Sequence, residues 1–105
     1  VAPRTGGKVV VDALVANGVD TVFCVPGESF IAVLDALHET PSIRTIACRH
    51  EAAAAHMAEA RGKLDGRPGI AFVTRGPGAT HASIGVHIAP GLDAADPLRR
   101  PSRAR

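Results

Sequence analysis

The sequence predicts an α/β fold: a three-layer arrangement in which a parallel sheet carries helices on both faces, with elements in the order αβαβαβα. Three observations predict it. Short apolar runs rich in β-branched and aromatic residues alternate with longer segments of helical periodicity. Those runs lack the polar alternation of a sheet wetted on one side, so they read as strands covered on both faces. Each connection is long enough to hold a helix, which lets successive strands run parallel through right-handed crossovers.

Thr5 is placed to cap a first helix over residues 6–17, with Val9, Val10, Ala13, Leu14 and Ala16 as its apolar positions and Asn17-Gly18 as a left-handed stop. Residues 21–25 form the first strand, closed by Pro26-Gly27, and Ser29 is placed to cap a helix carrying Phe30, Ile31, Val33, Leu34 and Leu37. That helix stops before Pro41, because a residue preceding proline is pushed out of the helical region. A second strand follows over 43–48. Residues 51–64 are mostly alanine with Met57, Glu59, Arg61 and Lys63, a composition of high helix propensity ended by Gly66 and Pro68. The third strand is read at 69–74, Gly76-Pro77-Gly78 as a sharp turn, and 79–89 as the last helix.

The chain has 105 residues, enough for one small core that buries roughly two-thirds of the surface its unfolded form exposes. With no Trp, no Tyr and only Phe23, Phe30 and Phe72, that core must be filled by Ala, Val, Ile and Leu. The net charge of +2 comes largely from Arg99, Arg100, Arg103 and Arg105, so the body is close to neutral and a nucleic-acid partner is not expected. No stretch reaches the run of about 20 apolar residues that a membrane helix needs, and no secretory leader is evident, so a cytoplasmic location is expected. Cys24 and Cys48 each end an apolar run and read as buried small hydrophobes rather than as disulfide or metal partners.

In such sheets ligands gather at the carboxyl ends of the strands, which places the turns after Val25, Cys48 and Thr74 along one edge. Pro26 and Gly27 stiffen one corner and allow close approach to a ligand; Gly76, Pro77 and Gly78 do the same at another. Either corner also reads as a plain strand-to-helix turn. The second is neither a P-loop nor a dinucleotide fingerprint, since the Lys-Ser/Thr ending is absent and His81 occupies the third glycine's place. Glu51, where a strand meets the alanine-rich helix, is the sharpest candidate: partial desolvation is expected to push its pKa upward, toward general acid/base work. A first-turn glutamate that only complements the helix dipole is the alternative. Zinc is not expected. His50 and His56 are six apart and separated by about 120° around a helix, whereas ligand pairs need i, i+4. His38, His81 and His87 are not expected to form a ligand cluster either and read as surface or polar-contact residues.

Taken in order, V-P-G-E-S-F at 25–30, R-H-E-A-A-A-A-H-M-A-E-A at 49–60, G-K-L-D-G-R-P-G-I-A-F-V-T-R-G-P-G-A-T at 62–80 and A-S-I-G-V-H at 82–87 resemble the N-terminal pyrimidine-binding domain of thiamine-diphosphate-dependent enzymes, most closely the acetolactate-synthase-like ones. The resemblance covers residues 5–89. It implies that Glu51 hydrogen-bonds the ring nitrogen of the cofactor's aminopyrimidine, and that Pro26, Gly27, Gly76, Pro77 and Gly78 border the pyrimidine pocket. It implies a 2-oxo acid as substrate, and Mg²⁺ and diphosphate held by a separate C-terminal domain, normally from a homologous partner subunit. Position 81 departs from the family pattern, with His where Asn is common, and an aromatic often found near Arg61 is missing.

The resemblance therefore implies half of a thiamine-diphosphate site in a truncated domain, without independent activity. Two other readings stand beside it: a non-catalytic module that docks onto a full-length homologue, and a small nucleotide-binding α/β domain. Residues 90–105 have no strand pattern and are read as a disordered tail. One permissible back-translation of residues 90–100, shifted by one base, gives a family-like continuation, so a frameshifted end is the hypothesis for that tail, with a genuine basic tail that touches nucleic acid or an acidic surface as the alternative.

Overall fold

The computed structural model describes residues 3–89; the reading of 90–105 as a tail lies outside them. The described residues form a small α/β fold in which three parallel strands, β1 (Thr21–Cys24), β2 (Arg44–Ala47) and β3 (Ala71–Phe72), lie in the order β2-β1-β3. Four helices surround them: α1 (Gly6–Ala16), α2 (Ile31–His38), α3 (Glu51–Asp65) and α4 (Pro77–Ile88), with a single 3₁₀ turn at Glu28–Phe30 ahead of α2. No helix among the described residues is long and apolar enough to cross a membrane.

Strand β1 organises both cores because its side chains alternate between the faces. Val22 points into a cluster with Val11, Ala36, Leu37 and Ile43, backed by Leu14, Val33, Ile70 and Phe72, which α1 and α2 close. Phe23 points the other way, to Ala54 and Ala58 of α3, with Val25, Ile46 and Cys48 around it. Helix α4 lies along α3, and Gly85 is why it can: a Cβ there would stand 2.4 Å from the Cβ of Ala55.

The expected boundaries hold for α1 and α3. Thr5 caps α1 by accepting a hydrogen bond from the Lys8 N–H, Gly18 supplies the left-handed stop at φ 77°, and Gly66 ends α3 at φ 69°. Several details differ. The buried residues of α1 are Gly7 and Val11; of the apolar positions expected, Leu14 packs partly buried against the core while Val9, Val10, Ala13 and Ala16 are exposed, because contact with α2 requires the missing side chain of Gly7, whose Cβ would sit 2.2 Å from the Ala32 carbonyl oxygen. Ser29 does not cap α2; it lies inside the 3₁₀ turn and its hydroxyl reaches across to Thr74.

Among the described strands, only β1 is covered on both faces. β2 and β3 are the two edge strands, each open to solvent over part of its length, and β3 is a two-residue ladder shorter than the expected 69–74. Cys24 is buried as expected, whereas Cys48 is half-buried; both are free thiols. The Gly76-Pro77-Gly78 segment is less a turn than a helix start: Gly76 is the N-cap of α4, at φ 67°, and Pro77 takes the first helical position, where its missing N–H costs nothing.

Candidate functional site

No polar or charged residue is buried among the described residues, so the polar chemistry of the fold lies at its rims. The carboxyl-end rim collects the candidates, because the parallel strands deliver residues 25–29, 48–51 and 73–78 to the same edge.

The two glycine corners meet at Thr74. A Cβ on Gly27 would lie 2.7 Å from the Thr74 Cβ, and one on Gly78 would lie 2.9 Å from its Cγ2. The Thr74 and Ser29 hydroxyls are 2.8 Å apart, joining the exit of β3 to the exit of β1. Neither Thr74 nor Ser29 stood out as a site residue in the sequence. The available signal was their position one or two residues from glycine corners that had to share an edge. Pro26, Gly76 and Pro77 line the outer, exposed part of these corners, while Gly78 is buried.

Glu51 stands at the first position of α3, directly below the Gly78 corner. A Cβ on Gly78 would be 3.5 Å from Glu51 Oε1, so the glycine leaves the carboxylate a clear side. Glu51's side chain is 15% exposed, and its Oε2 lies 3.3 Å from Nδ1 of His81, in the second turn of α4. His50 is the N-cap of α3, its Nδ1 accepting the Ala52 N–H at 3.0 Å, and its ring stacks on that of His81 with centroids 5.0 Å apart. His81 therefore does make the polar contact expected of it. It also joins His50 and Glu51 in a cluster of potential ligand atoms within 4.8 Å of one another, which residue spacing along one helix had not foreseen because the third member comes from α4. His56 is not part of it and pairs with Glu59 instead.

The charge state of Glu51 corrects the sequence expectation. Its pKa is lowered, not raised: the free N–H of Glu51 itself, at the helix start, is the main cause, desolvation opposes it, and His81 adds to the lowering. Three other carboxylates are also held below their ordinary values: Asp12 by hydrogen bonds from Arg4 and Lys8, Asp20 by Thr21 and Arg61, and Glu59 by Lys63. A depressed carboxyl pKa stabilises the fold above the unfolded value and loses that contribution as pH falls through the folded one. Thermal stability is therefore expected to be flat from neutral pH down to about pH 5, then to fall as the solution passes below the ordinary values of 4.5 for glutamate and 3.8 for aspartate. Melting curves between neutral pH and pH 3 check this; a rise in stability on acidification would contradict it.

Parallel strands with a glycine-flanked carboxylate at their carboxyl rim define an α/β domain whose candidate site lies at the strand exits. The chain belongs to the family described as thiamine pyrophosphate enzyme, N-terminal TPP binding domain, which its residues 4–91 match. It is 49% identical over 82 residues to an acetolactate synthase of Bacillus subtilis (strain 168), covering 77% of this chain and 14% of that protein. It is 41% identical over 85 residues to the acetolactate synthase isozyme 3 large subunit of Escherichia coli (strain K12), covering 81% of this chain and 15% of that one. To the mitochondrial acetolactate synthase catalytic subunit of Saccharomyces cerevisiae it is 40% identical over 77 residues, or 73% and 11%. The chain thus matches only 11% to 15% of the length of these relatives.

Proposed function

We propose that this chain forms the pyrimidine-side wall of a thiamine-diphosphate site in an acetolactate-synthase-like enzyme acting on 2-oxo acids, with Glu51 as the group that meets the aminopyrimidine. The supporting observation is the placement of one carboxylate: it stands at the rim of parallel strands, is largely shielded, and has the Cβ-free Gly78 beside Oε1. Pro26, Gly27, Gly76, Pro77 and Gly78 would border the flat ring, since backbone without side chains permits close approach.

Bound there, the cofactor supplies the electron sink for a 2-oxo acid. Glu51 accepts or returns a proton at its carboxyl oxygen. With its pKa lowered in the open rim it is ionised near neutral pH, and so is an acceptor matched to a protonated ring nitrogen. A ring that covers the remaining exposed face removes water and raises the proton affinity of the carboxylate, which suits two-way proton exchange. His81 must release Oε2 if both carboxylate oxygens are to serve. Mg²⁺ and the diphosphate would be held by a C-terminal domain of a partner, and the chain alone would not turn over substrate.

The test mixes the chain with a separately expressed C-terminal diphosphate-binding domain, thiamine diphosphate and Mg²⁺, and follows pyruvate consumption. Turnover is expected only in the mixture. It should fall by roughly 10² or more in Glu51→Gln, the range for loss of a positioned acid/base. Cofactor binding or turnover indifferent to Glu51→Gln would overturn the reading.

A further inference from the structure

Two imidazoles and a carboxylate converge at the carboxyl rim from two different helices. His50 and Glu51 come from the start of α3 and His81 from α4, with their ligand atoms all within 4.8 Å of one another. One ion with nitrogen and oxygen ligands at about 2.0–2.2 Å draws its donors closer than that, so the cluster must close by roughly an ångström. The side chains that must move are free to do so: both histidines are exposed, and His81 has Glu51 as its hydrogen-bond partner, whereas the carboxylate is held at 15% exposure. His50 exchanges its cap bond to Ala52 for the ligand bond.

We propose that His50, Glu51 and His81 form a binding site for a single borderline transition cation of the Zn²⁺ type, with a fourth position left open to water. Two nitrogen donors and one oxygen select such an ion over Mg²⁺, which prefers oxygen ligands and keeps its waters. The positive end of α3 opposes a cation, so only direct ligand bonds can hold one there. Because the ion takes Glu51, it excludes the pyrimidine. That consequence rests on the cofactor reading above; the metal site itself does not.

Calorimetric titration of the metal-free 105-residue chain with Zn²⁺ in Mg²⁺-free buffer tests it, with Co²⁺ visible absorption as a second readout. One Zn²⁺ per chain is expected, with Kd raised at least tenfold in His81→Asn and in Glu51→Gln, unchanged in His56→Gln and His87→Gln, and with no displacement by millimolar Mg²⁺. Circular dichroism confirms that each variant is folded, and His81→Gln repeats the test at an exposed position that supports no core. Absence of binding in the parent, equal loss in His56→Gln or His87→Gln, or displacement by Mg²⁺ overturns the site. In the reconstituted mixture, Zn²⁺ should weaken thiamine-diphosphate binding in the parent and not in His81→Asn. A chain that holds Zn²⁺ in this pattern while its mixture never binds the cofactor would refute the cofactor reading and leave the metal site standing.

Discussion

Gly69→Ala is expected to abolish cooperative folding. A Cβ at this position would lie 1.7 Å from the carbonyl oxygen of Ala58, 2.4 Å from its carbonyl carbon and 3.0 Å from its Cα. All three are backbone atoms in the middle of α3, so no rotamer change relieves the clash, and the helix itself has to move. Yet α3 is fixed from both ends of the same loop. Gly62 presses on the Arg67 oxygen and the Gly69 nitrogen, where its own Cβ would lie at 2.6 and 2.8 Å, and the chain runs from Gly69 into β3. Displacing α3 opens the Phe23 cluster and pulls at the Phe23 N–H to Ile70 and Val25 N–H to Phe72 hydrogen bonds that hold the short third strand. Overpacking relieved by side chains costs about 1–3 kcal/mol; a collision with backbone exceeds that range and consumes much of a stability of roughly 5–15 kcal/mol. Gly66→Ala is the contrast. It meets nothing within 4 Å and forces only a left-handed alanine, which costs about 1–2 kcal/mol. Urea unfolding followed by circular dichroism should show a sigmoidal transition for Gly66→Ala and none for Gly69→Ala; a normal midpoint for the latter would mean that the loop and α3 are not in contact.

The alternation of apolar runs and helical segments made the fold class legible, and with it the rim where Glu51, Gly27 and Gly78 meet, since parallel strands must deliver successive exits to one edge. What was not legible depends on tertiary partners. Val9, Val10 and Val11 are consecutive, so periodicity alone does not fix the phase of α1; the close approach of Gly7 to α2 does. Strands β2 and β3 read as buried in the sequence because apolar residues (Ile43, Ile46, Ala47 and Cys48; Ile70, Ala71, Phe72 and Val73) dominate those segments, but exposure depends on which strand occupies the centre, and among the described strands that is β1. The direction of the Glu51 pKa turned on a competition between desolvation and a free helix N–H, and composition does not rank the two. His81 was invisible as a partner of Glu51 because the contact spans 30 residues and requires α4 to begin at Pro77, two residues before the expected start.

Phe23→Ala should cost about 3–5 kcal/mol, the largest loss expected from removing a single side chain from this core. The reason is compositional. The face that α3 turns toward the sheet is made of Ala54 and Ala58, which are buried but small, so Phe23, at 7% exposure, supplies most of the volume between helix and strand. The alanines have no flexible side chains to swing into the space, Val25, Ile46 and Cys48 are tethered to the sheet and its exits, and the backbone contacts of Gly62 and Gly69 keep α3 from collapsing onto β1, so most of the cavity stays open. Phe23→Leu, which restores most of the volume, should recover the greater part of the loss. The consequence reaches the rim. Glu51 starts the same helix, one turn before Ala54, whose N–H bonds the carbonyl of His50; a loosened α3 therefore loosens the contact between Glu51 and His81. Hydrogen exchange at the Ala54 amide should accelerate in Phe23→Ala and return toward the parent rate in Phe23→Leu. If Phe23→Ala loses less than about 1 kcal/mol by urea unfolding, α3 does close the gap, and the platform beneath Glu51 is not rigid.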